Sequence, residues 1–201
     1  MRICISNSLF IFTSVGTCCV IMYFYVFTTL IGQLVAPYGL TDQQFVINMG
    51  LFLFGFGILG GIVFSMFLTR YPSQMMNSAL LVCSTANLFL AAFLYADTKA
   101  NETSILVICA LLGFFLLPIL FNAYELAVEQ TQHLGVGDTM SCGLINIVAN
   151  FAGFLLAIGL TPALDKETKG GAWTTFIVLF INLGVGLFSL IIAKVKQSNA
   201  Y

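Results

Sequence analysis

The sequence has 201 residues, of which 60% are hydrophobic and only 7% are charged. Soluble domains carry about 25% charged residues, so this composition excludes a water-soluble globule. The net charge of −1 excludes a basic surface that would attract nucleic acid. The chain is therefore predicted to be an integral, multi-pass membrane protein whose main partner is the lipid bilayer.

Six apolar segments follow one another along the chain, and each can cross a bilayer, which takes roughly 20 residues. They cover residues 9–35, 45–68, 76–95, 105–127, 140–160 and 173–193. The connections between them are short and polar, and none is long enough to form a soluble domain. The sequence thus predicts an all-α membrane protein, a single up-and-down bundle of six transmembrane helices.

The first two spans contain an aromatic cluster and a glycine-rich stretch. Tyr25, within the run YFYVFTT, could face a cavity and hold a cation over its ring, or could anchor the helix at the interface. The spacing alone leaves both alternatives open. The glycines of the second span predict close contact with another helix, because small residues let backbones approach each other in lipid. These glycines are Gly50, Gly55, Gly57, Gly60 and Gly61.

The fourth span contains a proline and is followed by two carboxylates. Pro118 removes a backbone donor and predicts a kink, which serves either as a flexible gate or as a harmless bend. Glu125 and Glu129 are four residues apart and lie on one helix face. Either the helix has left the membrane and both are solvated, or they pair with basic groups of another part of the protein as an inner gate.

The fifth span carries small and amide residues at spacings of three and four, which place them on one helix face. Such a face meets another helix or a wet cavity rather than lipid. We therefore take Asn146 and Asn150 as candidate binding residues. The stripe consists of Gly143, Asn146, Asn150, Gly153 and Ala157.

Cysteine and histidine provide no sign of a metal site or a cofactor. The six cysteines lie mostly in apolar runs, without metal-ligand spacing, and are interpreted as packing residues. His133 is isolated in the polar connector before the fifth span and is interpreted as solvated. No nucleophile–base set or metal-ligand set falls within the spans, so an enzyme is not expected.

The positions of the basic residues predict that both termini are cytosolic. The sequence leaves open whether the protein lies in the plasma membrane or in an organelle membrane. Arg2, Arg70, Lys194 and Lys196 lie on one side of the membrane, and Lys99, Lys166 and Lys169 on the other. The sequon at Asn101 falls on the second side, and sequons this close to the membrane are often unused.

Three segments resemble the C-terminal half of the feline leukaemia virus subgroup C receptor family: GFFLLP…YELAVEQTQ, SCGLIN…ANFAG and FYVFTTLIGQ. These major facilitator superfamily carriers are associated with choline, ethanolamine and haem. The resemblance implies that the six helices are spans seven to twelve of a twelve-span carrier. It implies that Tyr25 contacts the quaternary ammonium of choline, and that Asn150 stands where the family usually has glutamine. Thr69 stands where the family commonly has an acidic residue, so the family's usual gating contact carries over to this chain less well.

The expected function is therefore alternating-access transport of a small organic solute, either a choline- or ethanolamine-like cation or another family substrate such as haem. Tyr25, Asn146 and Asn150 would bind the substrate, and Glu125 and Glu129 would support the gate. The N-terminal six-helix half is absent, so the expected partner is that half or a second chain. The alternative is a non-transporting membrane subunit or scaffold, in which the amides join helices.

Overall fold

The computed structural model describes residues 8–99, 101–132, 137–164 and 168–198, and these residues form six long helices. Two short 3₁₀ turns, Ala36–Tyr38 and Pro72–Gln74, precede the second and third helices. All six helices are long and apolar enough to cross a membrane. The predicted all-α membrane fold is confirmed. The helices are α1 (Ser8–Val35), α2 (Gln43–Arg70), α3 (Met75–Thr98), α4 (Glu102–Gln132), α5 (Asp138–Leu164) and α6 (Lys169–Ser198).

The helices are longer than the apolar segments from which they were predicted. They contain between 24 and 31 residues, which corresponds to about 36 to 47 Å at 1.5 Å per residue. The hydrocarbon core of a bilayer is about 30 Å thick, so the helix ends extend into the interfacial regions. The largest extensions at a C-terminal end are in α4, from the predicted residue 127 to Gln132, and in α6, from 193 to Ser198.

The packing order of the helices differs from the order in the sequence. α4 packs mainly on α2 and α3, whereas α1 packs mainly on α5 and α6 and contacts α2 very little. The helices thus form two groups, one of α2, α3 and α4 and the other of α1, α5 and α6. This differs from the simple up-and-down arrangement that short connections predict, in which consecutive helices are neighbours.

Glycines bring α2 and α4 into backbone contact. Gly57 lies beside Leu117, and Gly61 lies beside the Phe121 ring, so the two helices run in the same direction. A Cβ atom added to Gly60 would overlap the carbonyl oxygen of Phe114. The predicted close contact is therefore found at these glycines, whereas Gly50 and Gly55 of the same helix face open space.

The close contact at Gly60 involves the backbone group that Pro118 leaves without a donor. A proline has no N–H, so the carbonyl of Phe114, four residues earlier in α4, lacks its helical hydrogen bond. The Cα of Gly60 lies against this carbonyl oxygen, where a Cα–H···O contact provides partial compensation. Pro118 is itself buried, so the break in α4 is covered by α2.

Asn101 caps the N-terminus of α4, and this bears on the sequon. Its side-chain oxygen accepts a hydrogen bond from Ser104 N–H (3.2 Å), and its backbone oxygen accepts one from Ile105 N–H (3.1 Å). Asn101, the residue of the sequon that would carry the glycan, is thus part of a helical turn at the end of a membrane span.

We expect Asn101 to remain unglycosylated and to act as a structural cap. Endoglycosidase treatment should leave the electrophoretic mobility unchanged. Asn101→Ala should destabilise the protein by about 1 kcal/mol, because a backbone donor loses its partner, whereas Asn101→Asp should retain the cap. Thermal melting in detergent measures both effects, and a mobility shift after deglycosylation would contradict the expectation.

Candidate functional site

Two asparagines of α5 and a tyrosine of α4 form a connected polar group. The Asn150 side-chain N–H donates to the backbone oxygen (2.8 Å) and the side-chain oxygen (2.7 Å) of Asn146. The Tyr124 hydroxyl donates to the same Asn146 side-chain oxygen (3.2 Å). Both asparagines are exposed and Tyr124 is partly buried. The amides therefore lie on an open face of α5, and Asn146 is bonded at its edge to α4.

Polar contacts between α4 and α5 hold Tyr124 in place. The Cys142 thiol donates to the Tyr124 backbone oxygen (3.8 Å). Closer to the helix ends, the hydroxyls of Thr131 and Ser141 are 2.6 Å apart and both side chains are buried. These contacts fix the register of the two helices, and with it the position of Tyr124 opposite Asn146.

Tyr25 lies where α1 meets α4 and α5, and its side chain is half-buried. It packs against an apolar cluster that includes Ile21 of α1, Ala123 of α4 and Ala149 of α5. Tyr124 follows Ala123 of this cluster directly in the sequence of α4. The structure therefore brings the aromatic ring and the two amides, predicted from separate segments, to one junction of three helices.

The polar face continues along α1 beyond Tyr25. Thr29 and Gln33, four and eight residues further on, are both exposed and share the Tyr25 face at helical spacing. The Thr29 hydroxyl donates to the Tyr25 backbone oxygen (2.7 Å), which leaves the oxygen of that hydroxyl as an acceptor. Polar groups thus extend from the three-helix junction toward the other end of the bundle.

Glu125 and Glu129 are both exposed on α4, near its C-terminal end. Phe121, one turn before Glu125 on the same stripe, contacts Gly61, so this stripe borders α2. Tyr124, on the neighbouring stripe, contacts α5. The two carboxylates consequently lie between α2 and α5, on the same open side as the amide group. Within the described ranges, neither carboxylate forms an ion pair.

Among residues 8–99, 101–132, 137–164 and 168–198, no three metal-ligating side chains come together. His133 lies outside the described residues. Five of the six cysteines are described, and none of these five forms a disulfide. The lining of the candidate site therefore consists of phenol rings, amides and hydroxyls, which bind organic cations and hydroxyl groups rather than metals.

Sequence reasoning did not identify Tyr124 as a site residue. It lies one residue before Glu125 and within a segment that already carried the family resemblance. A tyrosine near the end of an apolar span is often an interfacial anchor, and the sequence gives no sign that this one contacts Asn146. Only the register of α4 against α5 shows that its hydroxyl reaches Asn146.

No protein-family model matches the chain, but the chain is similar to curated membrane transporters. It is 25% identical over 178 residues to the choline/ethanolamine transporter FLVCR2 of Homo sapiens. It is 26% identical over 176 residues to the choline/ethanolamine transporter FLVCR1 of Felis catus. Each match covers 88% of this chain but only 33% and 31%, respectively, of the relative. The chain thus spans about a third of the length of these relatives.

These similarities confirm the resemblance predicted from the sequence. The names of the relatives describe transporters rather than enzymes, in agreement with the expected class. The similarity of this chain to membrane transporters and its six apolar helices together support an integral, multi-pass membrane protein.

Proposed function

We propose that this chain forms half of an alternating-access carrier for a small organic cation of the choline or ethanolamine type. The observation that carries this proposal is the hydrogen-bonded group of Tyr124, Asn146 and Asn150 beside Tyr25, on an open face within the membrane spans. Exposure of polar side chains to lipid within a membrane span costs free energy, so such side chains lie against a protein partner or a water-filled cavity.

The chemistry of the face suits a cation that also carries a hydroxyl group. A quaternary ammonium has no N–H to donate, so it is recognised best by the faces of aromatic rings, here Tyr25 and Tyr124. The amides of Asn146 and Asn150 can accept from, or donate to, the hydroxyl of the solute. Removal of water by closure of a second protein unit would strengthen these contacts.

The unequal burial of the helices supports a second unit on this face. The apolar windows of α2 and α5 are only 22% buried within the chain, whereas those of the other four helices are at least 39% buried. The candidate site and the two glutamates lie between these least buried helices. We propose that a six-helix half, on the same polypeptide or on a second chain, covers this side and completes the pathway.

Glu125 and Glu129 would then support closure at the cytosolic end of the pathway. They lie one and two turns beyond Phe121, toward the C-terminal end of α4. Among the described residues of this chain, neither of them forms an ion pair. A basic group of the opposing half could approach these carboxylates when that end closes. Solvation of both carboxylates in the open state is compatible with the same arrangement.

Uptake of radiolabelled choline by cells that express the gene product tests this function. Uptake should saturate, and a membrane potential that is negative inside should increase it, because the solute is a cation. Asn150→Ala should raise KM about fivefold, the effect of losing roughly 1 kcal/mol from one hydrogen bond. Asn87→Ala is the matched control, since Asn87 on α3 makes the same type of bond to the backbone oxygen four residues earlier (2.9 Å).

Each outcome of the uptake experiment has a defined meaning. Saturable uptake that responds to Asn150→Ala but not to Asn87→Ala supports the site. Haem uptake without choline uptake would overturn the proposed cation. Absence of uptake of choline, ethanolamine and haem by correctly inserted protein would favour the scaffold alternative.

A further inference from the structure

A groove of about 380 Å³ lies between α2 and α3, away from the candidate transport face. Val63, Phe64 and Phe67 line its α2 side. Buried Ser78 also lines it and accepts a hydrogen bond from Asn122 of α4 (2.5 Å). Asn122 and Tyr124 project roughly 200° apart around α4, since each residue turns the helix by about 100°. The groove and the transport site are therefore on different sides of α4.

The walls of this groove become polar toward the α2–α3 connection. On α2, Val63 and Phe67 are followed at helical spacing by Arg70, the last residue of the helix. On the opposite wall, Leu81 is preceded by Asn77 and then by Gln74. Each wall changes from apolar to polar over about seven residues, or about 10 Å. A phospholipid shows the same order of polarity from its acyl chain to its headgroup.

The polar end of the groove suits an anionic headgroup. Arg70 is exposed and forms no ion pair within the described part of the chain. The Asn77 side-chain N–H donates to the Gln74 side-chain oxygen (2.6 Å), so the Gln74 amide N–H groups remain available as donors. No acidic residue occurs between residues 64 and 81. Arg70 is therefore the only charged residue of this segment, and amide donors lie beside it.

We propose that this groove binds one anionic phospholipid. One acyl chain lies along Phe67 and Leu81, and the phosphate group is held near Arg70 and Gln74. The exposed ring of Tyr71, which packs on Phe67 with ring centroids 5.3 Å apart, lies at the level of the headgroups. The site does not depend on the proposed transport function, because it uses none of the residues assigned to the transport pathway.

Native mass spectrometry of the purified protein tests this proposal, with dioleoyl phosphatidylglycerol and dioleoyl phosphatidylcholine as probes. The wild-type protein should bind phosphatidylglycerol about fivefold more tightly, the contribution expected of one basic residue near anionic lipid. Arg70→Gln should remove this preference. Leu81→Trp should weaken binding of both lipids, because the larger side chain fills the groove.

Two controls define the outcomes that would overturn the proposal. Lys194→Gln removes another exposed basic residue near the same end of the bundle and should leave the lipid preference unchanged. Glycerol phosphate, which has no acyl chains, should not bind. An equal effect of Arg70→Gln and Lys194→Gln would show a nonspecific charge effect. Unchanged binding by Leu81→Trp, or self-association through this face that excludes lipid, would also overturn the proposal.

Discussion

Gly60→Ala is expected to prevent most of the protein from folding into its native bundle. The added Cβ would overlap the carbonyl oxygen of Phe114, a backbone atom that no side-chain rotation can move. Relief requires α2 and α4 to separate along a contact that also involves Gly57 and Gly113. The expected destabilisation is at least about 3 kcal/mol, the upper end of the usual range for overpacking. Fluorescence-detected size-exclusion chromatography and thermal melting in detergent measure this loss.

Gly55→Ala provides a matched control in the same helix. Its added Cβ would have no atom within 4 Å, and alanine is the better helix former by about 1 kcal/mol. This variant should therefore be as stable as the wild type or slightly more stable. Gly113→Ala should reproduce the defect of Gly60→Ala, because its Cβ would overlap the carbonyl oxygen of Leu53. Similar stability of the Gly55 and Gly60 variants would rule out the backbone contact.

The glycines show how far the sequence alone can predict this fold. Their density in the second span correctly indicated close helix contact, because small residues are needed wherever backbones approach in lipid. It did not distinguish Gly60, which touches a backbone carbonyl, from Gly55, which faces open space. That difference depends on which helix lies opposite, and the short connections predicted the wrong neighbours for α2.

The packing around Pro118 argues against a flexible gate at this point of α4. A flexible gate requires the interrupted segment to be free to change its angle. Here Pro118 is buried, and the carbonyl that it leaves without a donor lies against Gly60. Bending of α4 at this point would break the closest backbone contact between α2 and α4.

The candidate site was only partly predictable for a similar reason. Asn146 and Asn150 were identified by periodicity, since helical spacing within one segment is visible in the sequence. Tyr25 was singled out by its family resemblance, but its position at the junction of α1, α4 and α5 depends on how these helices pack. Glu125 and Glu129 lie on one helix face, as their spacing predicts, and no described residue of this chain forms an ion pair with either of them.

Tyr25→Ala is expected to raise the KM for choline about thirtyfold. Loss of a desolvated cation–π contact removes about 2 kcal/mol of binding energy, and every 1.4 kcal/mol changes affinity tenfold. Tyr25→Phe retains the ring face and should remain within a few-fold of the wild type. Initial rates of radiolabelled choline uptake, normalised to the amount of protein in the membrane, measure these effects.

A control for the Tyr25 variants must separate binding from packing, because Tyr25 also contacts the apolar cluster between α1, α4 and α5. Tyr95→Ala removes an exposed tyrosine from α3, a helix outside that cluster, and should leave KM unchanged. Reduced expression of Tyr25→Ala with an unchanged KM would assign the ring a packing role and exclude it from the substrate site. A raised KM at normal expression, with recovery in Tyr25→Phe, requires the ring face itself to meet the solute. Since the hydroxyl is then dispensable, a cation above the ring accounts for this pattern better than a hydrogen bond.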